Sequence, residues 1–594
     1  MNTITTRALG AELAVLEQRG LAAAFRALAA ARPEARAMTF LDHTTSWEGE
    51  TLHLSRRELD TRARILAGRL LDHAVPGDRV AILCPNGPGY VAAFLGCLYA
   101  GLLPVPLLPP DLQRQSERLA PTLADAAPGA VITLEAHREP VEAALAAVTG
   151  PAARARVLTA DDLGAAPTPA SGPPPGAVEP GATAYLQYTS GSTRKPNGVQ
   201  VTHRNIAVSV AQHVDRQRIA EDSTIVNWLP FFHDMGLVFA LVLPLAVGIP
   251  AVQLTPQAFI QRPARWLRQF GTYGGTHAMI PNFALDVCVD AVPEGERAGV
   301  DLSTVRYLGN ASEPVRAASL SRFTRVYAPH GFRHTAHSPC WGLAEATLIV
   351  TGDGAEMPPV VMGFDREALA DGRVVPCPET EPDARRLVGC GAPFQGQRVR
   401  VVHPGTDAPA PSGTVGELWV SGENVCDGYW LHDGSDPTFQ GTLDGGGRWL
   451  RTGDLGFVHD GQIFIAGRAK DVLIVDGRNH HAIDIEVTVE QVSPAVRRGH
   501  IAAFAVETGE SELAVAVVEL RPEAEAVTDT EALRAAVRAA VAEAHDVELY
   551  DIALVSRATI PKTSSGKLRR RICRDLYVRG ELAAQAVARD RAPR

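Results

Sequence analysis

Cysteine is scarce in this sequence of 594 residues, and the spacing of the few that occur excludes several kinds of site. The eight cysteines stand at positions 84, 97, 288, 340, 377, 390, 426 and 573. They form no CxxC pair and no spacing typical of zinc ligands. Few cysteines in a long chain are typical of buried thiols in a reducing cytosol, so we expect a cytoplasmic protein.

Basic charge is also scarce, because the chain has a formal net charge of -10 and a sequence pI of about 6.0. Neutralising nucleic-acid phosphates requires a basic surface, and this balance argues against one. The basic run 567–574 is an alternative nucleic-acid module, but no pattern of stacking aromatic residues accompanies it. We therefore expect no nucleic-acid partner.

Long uninterrupted apolar runs are missing as well. Two uncharged stretches, 90–110 and 235–255, are long enough to span a bilayer. Both are broken by glycine and proline, at Gly101, Pro104 and Pro106 in the first and at Pro244, Gly248 and Pro250 in the second. This pattern predicts a buried helix followed by a buried strand, so we expect no membrane insertion. The N-terminal segment carries acidic residues and lacks a long apolar core, unlike a secretory signal.

Strand and helix patterns alternate in the first part of the chain. Residues 54–73 have apolar side chains at helical spacing, and a β-rich run follows at 78–83. This βα alternation predicts a doubly wound α/β sheet. The pattern changes after about residue 467, where short strands at 472–475, 501–506 and 513–520 alternate with helices at 483–491 and 530–545. This alternation predicts a small α+β domain in the last part of the chain.

The strongest chemical signal is a run of small hydroxyl residues and glycine after an apolar stretch. Residues 188–199 read YTSGSTRKPNGV and include Thr189, Ser190, Gly191, Ser192 and Thr193. Such residues allow N–H and O–H donors to surround phosphate oxygens. The spacing is not GxxxxGK[ST], which excludes an ordinary P-loop. Taken alone, the run also fits a surface turn, and the motifs downstream decide between these interpretations.

Five further motifs follow in order, at 309–314 (GNASEP), 340–345 (CWGLAE), 451–454 (RTGD), 467–471 (GRAKD) and 561–567 (PKTSSGK). Together with 188–199 they resemble the motifs of the adenylate-forming superfamily: acyl-CoA synthetases, luciferases and the adenylation domains of peptide synthetases. The resemblance implies an α/β fold with stacked doubly wound sheets in a large N-terminal region, residues 1–468, that binds ATP and the acyl group. It also implies a hinge at 469–471 and a small mobile α+β domain at 472–594.

The resemblance gives each motif a role. It implies phosphate contacts from 189–193, adenine contacts from Asn310, Ala311, Trp341 and Gly342, ribose contacts from Asp454 and Arg468, and a hinge at Asp471. A core tryptophan at 341 and a turn aspartate at 454 are the alternatives from residue type alone.

The implied chemistry explains why a lysine and a glutamate matter most. A carboxylate that attacks the α-phosphate of ATP builds up negative charge, so catalysis depends on positioning and charge stabilisation. Lys567 is implied to supply the positive charge, and a solvated lysine in a basic run is the alternative. Glu345 is implied to bind Mg²⁺, which favours carboxylate and phosphate oxygens. A glutamate at a helix start is the alternative. ATP and Mg²⁺ are therefore the expected cofactors.

Several segments resemble one branch of the superfamily, the fatty acyl-AMP ligases. Arg194 replaces the Gly, and Asn197 the Lys, that most superfamily members carry. The segment 228–237, WLPFFHDMGL, also resembles that branch, as do 253–259, 281–283, 342–347 and 477–480. His233 is implied to act in catalysis by gating the acyl tunnel, with a packed core histidine as the alternative. Asp234 is the one carboxylate suited to an amino group, and it belongs to the HDMG match, which disfavours an amino-acid substrate.

Two features bear on the choice of acid and of acyl acceptor. Met279 and Ile280 precede Pro281 where smaller residues are usual, and the pair at 340–341 is Cys-Trp where Ser-Tyr is common, so the type of acid stays open. The polar stretch 351–386 lies where the branch carries an insertion that restrains the small domain. A variable surface loop is the alternative interpretation of that stretch.

The sequence as a whole predicts an enzyme that activates a fatty or other carboxylic acid to acyl-AMP with release of pyrophosphate. The resemblance implies transfer of the acyl group to the phosphopantetheine thiol of an acyl carrier protein, in a natural-product setting. An acyl-CoA ligase is the alternative within the same chemistry. A non-catalytic nucleotide-binding relative is the alternative from another class, and Lys567, Glu345 and Asp454 argue against it.

Overall fold

The computed structural model of the chain describes residues 9–110, 116–161, 178–188, 196–381, 384–432, 436–443, 446–475, 478–508, 511–562, 567–582 and 586–588. Strands and helices alternate through most of this length, and the strands belong to several separate sheets. The α/β fold predicted from the sequence is confirmed.

The first part of the chain contributes a hairpin and a small parallel sheet. Its elements are α1 (Gly10–Ala31), β1 (Arg36–Asp42), β2 (Glu50–Ser55), α2 (Arg56–Leu71), β3 (Arg79–Ile82), α3 (Pro88–Tyr99), β4 (Leu103–Pro106), α4 (Ser116–Ala126), β5 (Ala130–Thr133), α5 (Arg138–Ala146) and β6 (Arg156–Thr159). Strands β4-β3-β5-β6 pair in this order, all parallel. α2 starts at a capping box, in which Ser55 and Glu58 satisfy each other's backbone N–H groups.

The second part forms most of a large central sheet. Its elements are β7 (Thr183–Tyr188), β8 (Gly198–Thr202), α6 (His203–Arg216), β9 (Ile225–Asn227), a π-helix (Met235–Val242), α7 (Leu243–Val247), β10 (Ala251–Leu254), α8 (Pro256–Gln261), α9 (Ala264–Tyr273), β11 (His277–Pro281), α10 (Asn282–Ala291), α11 (Glu294–Arg297), β12 (Tyr307–Ala311), α12 (Ala317–Tyr327), β13 (His337–Gly342) and β14 (Ile349–Gly352). Six strands run parallel in the order β13-β12-β11-β9-β10-β1. Antiparallel β14 and β2 flank them.

Short antiparallel sheets follow. Their elements are β15 (Val361–Asp365), α13 (Arg366–Ala370), β16 (Pro376–Cys377), β17 (Ala384–Val388), β18 (Ala392–Pro393), β19 (Arg398–Val402), β20 (Gly416–Ser421), β21 (Leu450–His459) and β22 (Gln462–Arg468). β16-β15-β17 form one sheet and β19-β20-β21-β22 another, while β18 joins β14 at the edge of the central sheet. The polar stretch 351–386 therefore contains regular strands and a helix as well as loop.

The described residues from 472 onward are called the C-terminal region here. Its elements are β23 (Val472–Val475), β24 (Arg478–His481), α14 (Ala482–Val492), β25 (Val496–Thr508), β26 (Ser511–Leu520), α15 (Pro522–Glu525), α16 (Thr530–His545), β27 (Leu549–Val555), α17 (Arg570–Val578) and β28 (Ala586–Ala588). Strands β25-β26-β27-β28 form one sheet. Two hydrophobic clusters, one on each face, draw their buried members only from this region. The strands and helices predicted for it are confirmed within a few residues.

The two uncharged stretches are buried in the way the sequence predicts. The first contains α3 and β4, and the second contains the π-helix, α7 and β10, with almost every side chain buried. Within the described ranges, no helix is long and apolar enough to cross a membrane. Seven of the eight cysteines are buried and all eight are free thiols, as the cysteine pattern predicts.

Candidate active site

The candidate site lies where neighbouring parallel strands of the central sheet end. β9 leads into the segment with His233 and Asp234, β12 ends at Ala311, and β13 ends at Gly342. Because the carboxyl ends of parallel strands share one edge, segments far apart in sequence meet there, and this is the usual place for a ligand in an α/β sheet. The fold therefore brings three of the predicted motifs to one edge.

The predicted phosphate-binding residues 189–193 lie outside the described residues. The strands on either side are described, because β7 and β8 pair antiparallel and Tyr188 lies opposite Gly198 in their register. The segment thus connects the two strands of a hairpin, which keeps its two ends close together. Its phosphate-binding role stays a prediction.

The predicted adenine segment contains a buried amide with an unused acceptor. Asn310 is fully buried, and its Nδ2 donates to Oδ1 of Asn282 at 3.3 Å. Its own Oδ1 and the hydroxyl of Ser312 are buried without a hydrogen-bond partner among the described residues. Buried polar atoms normally have partners, so unpaired ones at a strand end fit a ligand with N–H donors, such as adenine.

Trp341 and Arg468 both hold the carboxylate of Asp454. The indole Nε1 of Trp341 donates to Oδ2 at 2.8 Å, and Nε of Arg468 donates to Oδ1 at 2.8 Å. Asp454 and Arg468 face each other in the register of β21 and β22, so the motifs at 454 and 468 lie side by side. Each carboxylate oxygen keeps a further lone pair, so two ribose hydroxyls can still donate to Asp454.

The backbone at both of these motifs requires glycine. A Cβ at Gly342 would lie 1.8 Å from the carbonyl oxygen of Leu348, so no side chain fits beside Trp341. Gly453 has a φ of +71° immediately before Asp454, a conformation that glycine adopts without strain. The two glycines let the chain bring Trp341 and Asp454 together.

Glu345 lies in a short 3₁₀ turn after β13 and has an aromatic hydroxyl as partner. The hydroxyl of Tyr429 donates to its Oε1 at 2.8 Å. Burial raises the pKa of Glu345, and the hydrogen bond from Tyr429 and the positive charge of Arg468 oppose that rise. A divalent cation bound by this carboxylate would favour its ionised form, so Glu345 fits the predicted Mg²⁺ ligand. Tyr429 was not predicted from the sequence, because none of the motifs includes it.

Lys567 faces carboxylates from the large N-terminal part of the chain. Burial lowers the pKa of Lys567, and the negative charges of Asp234, Asp454 and Glu313 oppose this fall, while nearby Arg468 adds to it. These carboxylates supply counter-charge to a lysine that is partly withdrawn from water. The catalytic role of Lys567 stays a prediction.

His233 and Asp234 form a close pair at the start of the π-helix. Nδ1 of His233 lies 2.6 Å from Oδ1 of Asp234, which also accepts the backbone N–H of Met235 at 2.7 Å. Burial would raise the pKa of Asp234, but His233, Lys567 and the hydrogen bond from Met235 outweigh burial and lower it. Asp234 is thus close enough to Lys567 for their charges to attract each other, a relation that the sequence did not predict.

Glu313 is a carboxylate for which the sequence predicted no separate role, although it lies inside the predicted adenine segment. Its Oε1 accepts the backbone N–H of Phe283 at 2.5 Å, in the first turn of α10. Burial raises the pKa of Glu313, and that hydrogen bond and nearby Arg316, Lys562 and Lys567 oppose the rise. Burial also lowers the pKa of Lys562 to about 8. Glu313 therefore faces both lysines of the 561–567 motif.

The predicted hinge residue Asp471 accepts a hydrogen bond from Arg570 of α17. Nη1 of Arg570 lies 2.8 Å from Oδ2 of Asp471, and its other nitrogens donate to both oxygens of Glu486 at 2.7 Å. The guanidinium thus links the 469–471 turn to two helices of the C-terminal region. The hinge role itself stays a prediction.

Large side chains crowd the strand ends where the acyl group is expected. Met279 and Gly309 are opposite each other in β11 and β12, and a Cβ at Gly309 would lie 2.9 Å from Cγ of Met279. Trp228 stacks on Phe259 with ring centroids 3.9 Å apart. Met279 therefore lies beside Gly309 of the adenine segment, and its effect on the length of the acyl chain stays a prediction.

Comparison with known proteins gives the site a context. The family model described as AMP-binding enzyme matches residues 25–430, and one described as Disco-interacting protein 2-like, AMP domain, matches residues 470–587. Long-chain-fatty-acid–AMP ligase FadD26 of Mycobacterium marinum is 38% identical, over 92% of this chain and 95% of its own. The 4-hydroxyphenylalkanoate adenylyltransferase of the same organism is also 38% identical, over 92% of this chain and 89% of its own.

A solved structure of similar fold contains a reaction intermediate. It is that of a fatty acyl-adenylate ligase from Legionella pneumophila in complex with acyl adenylate and pyrophosphate. Its sequence is 31% identical, the alignment covers 97% of this chain and 98% of that one, and the TM-score is 0.72. The similarity thus extends over nearly the whole length of both chains.

Asp454→Asn tests whether the carboxylate held by Trp341 and Arg468 binds the nucleotide. We expect the Kd for ATP to rise roughly ten- to hundredfold, because hydrogen bonds to charged groups contribute about 1.5–3 kcal/mol. Titration calorimetry with ATP and Mg²⁺ measures this change. Asp407→Asn removes the exposed partner of Arg451 and is the matched control. An unchanged Kd in Asp454→Asn would contradict the assignment.

Proposed function

The chain belongs to the AMP-binding enzyme family, in the branch of the fatty acyl-AMP ligases, and from this membership we propose its reaction. The enzyme activates a fatty acid with ATP to acyl-AMP, releases pyrophosphate, and passes the acyl group to the phosphopantetheine thiol of an acyl carrier protein. The observation that carries this proposal is Lys567 facing Asp234, Asp454 and Glu313, because it joins the 561–567 motif to the nucleotide motifs. We place the reaction in the cytoplasm, in keeping with the buried free thiols.

In the proposed first step the substrate carboxylate attacks the α-phosphate of ATP. Both groups are negative, so the site must offset their repulsion and stabilise the charge that builds up on the phosphoryl oxygens. Lys567 supplies the positive charge, Asp454 orients the ribose, and Asn310 contacts adenine. A magnesium ion held by Glu345 would neutralise phosphate charge. Residues 189–193 supply the phosphate contacts in this proposal.

In the proposed second step the carrier's thiol attacks the acyl carbonyl and AMP leaves. This step needs no cysteine of the chain as a nucleophile, and burial raises the pKa of the Cys340 and Cys426 thiols beside the Trp341 and Glu345 motifs. We propose that residues 472–594 move as a small domain about Asp471 between the steps, relative to 1–468. His233, beside Asp234, gates the acyl tunnel in this scheme.

We also propose that the stretch 351–386 restrains the C-terminal region and so disfavours coenzyme A. The support is a buried contact: Arg385 of β17 lies 2.9 Å from Oδ1 of Asp484 in α14, with side chains only 7% and 19% exposed. Nη2 of Arg385 also donates to the carbonyl of Ala466 at 2.7 Å. An acyl-CoA ligase is the second candidate function, and the following experiments separate the two.

The direct test of the reaction is mass spectrometry of products formed from ATP, Mg²⁺ and fatty acids of graded length. The acceptor is either coenzyme A or a phosphopantetheinylated carrier protein. We expect acyl-AMP and acyl-carrier without acyl-CoA from the wild type, and no acyl-AMP from Lys567→Ala. Arg571→Ala, an exposed arginine of the same basic run, is the control and keeps activity. Rapid acyl-CoA formation by the wild type would favour the second candidate.

The pH dependence of the first step tests the contact between Lys567 and Asp234. Lys567 acts in its protonated form, so the rate falls as the pH rises through its pKa. Burial lowers this pKa and the charge of Asp234 raises it. Asp234→Asn removes the raising effect, so we expect the alkaline limb of the pH–rate profile to move to lower pH. Exchange of labelled pyrophosphate into ATP measures the profile, with exposed Asp222→Asn as control. A limb at an unchanged pH would contradict the contact.

The restraint by 351–386 is tested with Arg385→Met combined with Asp484→Leu. Removing both charges avoids an unpaired buried ion, so we expect the fold to be kept. If the ion pair stabilises the present orientation of the C-terminal region by about 1.4 kcal/mol, its removal raises the acyl-CoA share of the products roughly tenfold. The same product assay measures this share, and thermal unfolding checks the fold. A stable double variant that still makes no acyl-CoA would show that this contact does not exclude coenzyme A.

A further inference from the structure

An ion pair links the end of the adenine segment to the C-terminal region. Arg316 is the residue before α12, and its Nη1 lies 3.0 Å from both carboxylate oxygens of Glu490 in α14. The two side chains are 25% and 13% exposed, so the pair is largely withdrawn from water. Such a pair has a stronger effect on geometry than an exposed one, because water screens it less.

Arg316 and Glu490 each make a further hydrogen bond within their own part of the chain. The backbone N–H of Arg316 donates to Oδ1 of Asn282 at 3.1 Å, and the same oxygen accepts Nδ2 of Asn310. The Oε2 of Glu490 accepts the backbone N–H of Gly499 at 2.8 Å. The pair therefore connects the predicted adenine contact, Asn310, to the C-terminal region through an ordered set of hydrogen bonds.

Glu313 in the adenine segment and Arg316 just after it carry opposite charges, and together they favour one orientation of the C-terminal region. Glu313 faces Lys562 and Lys567, and three residues later Arg316 faces Glu490. The negative Glu313 thus lies near positive side chains, and the positive Arg316 pairs with a negative one. A displaced C-terminal region would lose both attractions or bring like charges together, which disfavours other arrangements.

We propose that Arg316 and Glu490 are positioning residues for adenylate formation alone: their ion pair fixes the orientation in which Lys567 reaches the nucleotide. The pair opens when the C-terminal region turns for acyl transfer. This inference rests on the proposed two-step function, and it assigns a role to two residues outside the motifs that carry the chemistry. Neither residue touches the reacting atoms in this scheme.

Arg316→Gln and Glu490→Gln test the pair by removing one charge each. The Gln at 490 keeps an acceptor for the N–H of Gly499. We expect acid-dependent exchange of pyrophosphate into ATP to fall about tenfold or more, since losing one charged hydrogen bond is of that order. Transfer from supplied acyl-AMP to a phosphopantetheinylated carrier protein stays at the wild-type rate. Arg316→Lys keeps the charge with different geometry, and its exchange rate lies between those of the wild type and Arg316→Gln.

Arg306→Gln is the matched control, because Arg306 pairs with Asp222 through two hydrogen bonds of 3.0 and 2.7 Å without reaching the C-terminal region. Both half-reactions stay at the wild-type rate in this control. Equal loss of both half-reactions in Arg316→Gln and Arg316→Lys, together with a lower Tm, would show a merely structural pair and overturn the proposal. Unchanged exchange in Arg316→Gln and Glu490→Gln would also overturn it. A wild type that makes no acyl-AMP would instead refute the proposed function and remove the basis of this inference.

Discussion

The attraction between Lys567 and carboxylates of the large N-terminal part is the interaction on which the rest of the arrangement depends. Removing a lysine from water is unfavourable, and Asp234, Asp454 and Glu313 partly offset this cost. All three carboxylates belong to the large N-terminal part, so Lys567 keeps these attractions only while the two parts of the chain are together. The geometry of the site and the orientation of the C-terminal region are therefore coupled.

One helix of the C-terminal region carries two ion pairs to the large part. Asp484 and Glu490 lie on α14, where they meet Arg385 and Arg316. Six residues of helix span about 9 Å, so the two pairs hold α14 at separate points and resist rotation better than either alone. Arg385 comes from the 351–386 stretch, and Arg316 lies two residues after the adenine segment 309–314. α14 thus contacts the stretch that is expected to control the choice of acyl acceptor. It also contacts a residue next to the segment that is expected to bind the nucleotide.

The sequence predicted the fold class and the elements around the motifs well, because their apolar periodicity is a local property. It also predicted that Asp454 and Arg468 act together, and they do face each other in neighbouring strands. It did not predict the hydrogen bonds from Trp341 to Asp454 or from Tyr429 to Glu345, whose partners are 113 and 84 residues apart. Such pairings depend on how sheets pack, and no single motif contains both partners. The role of Glu313 was not predicted for a related reason, because the lysines that attract its carboxylate, Lys562 and Lys567, lie in another region of the chain.

The proposed reaction depends on Lys567 stabilising the negative charge that develops at the α-phosphate. The most direct measurement is a crystal structure with a sulfamoyl analogue of a fatty acyl-adenylate. The account predicts Nζ of Lys567 within about 3.0 Å of an analogue oxygen, with Asp454 accepting from the ribose hydroxyls. A structure in which the adenosine occupies the site with the C-terminal region in the present orientation, while Lys567 contacts only Asp234 and Glu313, would contradict it.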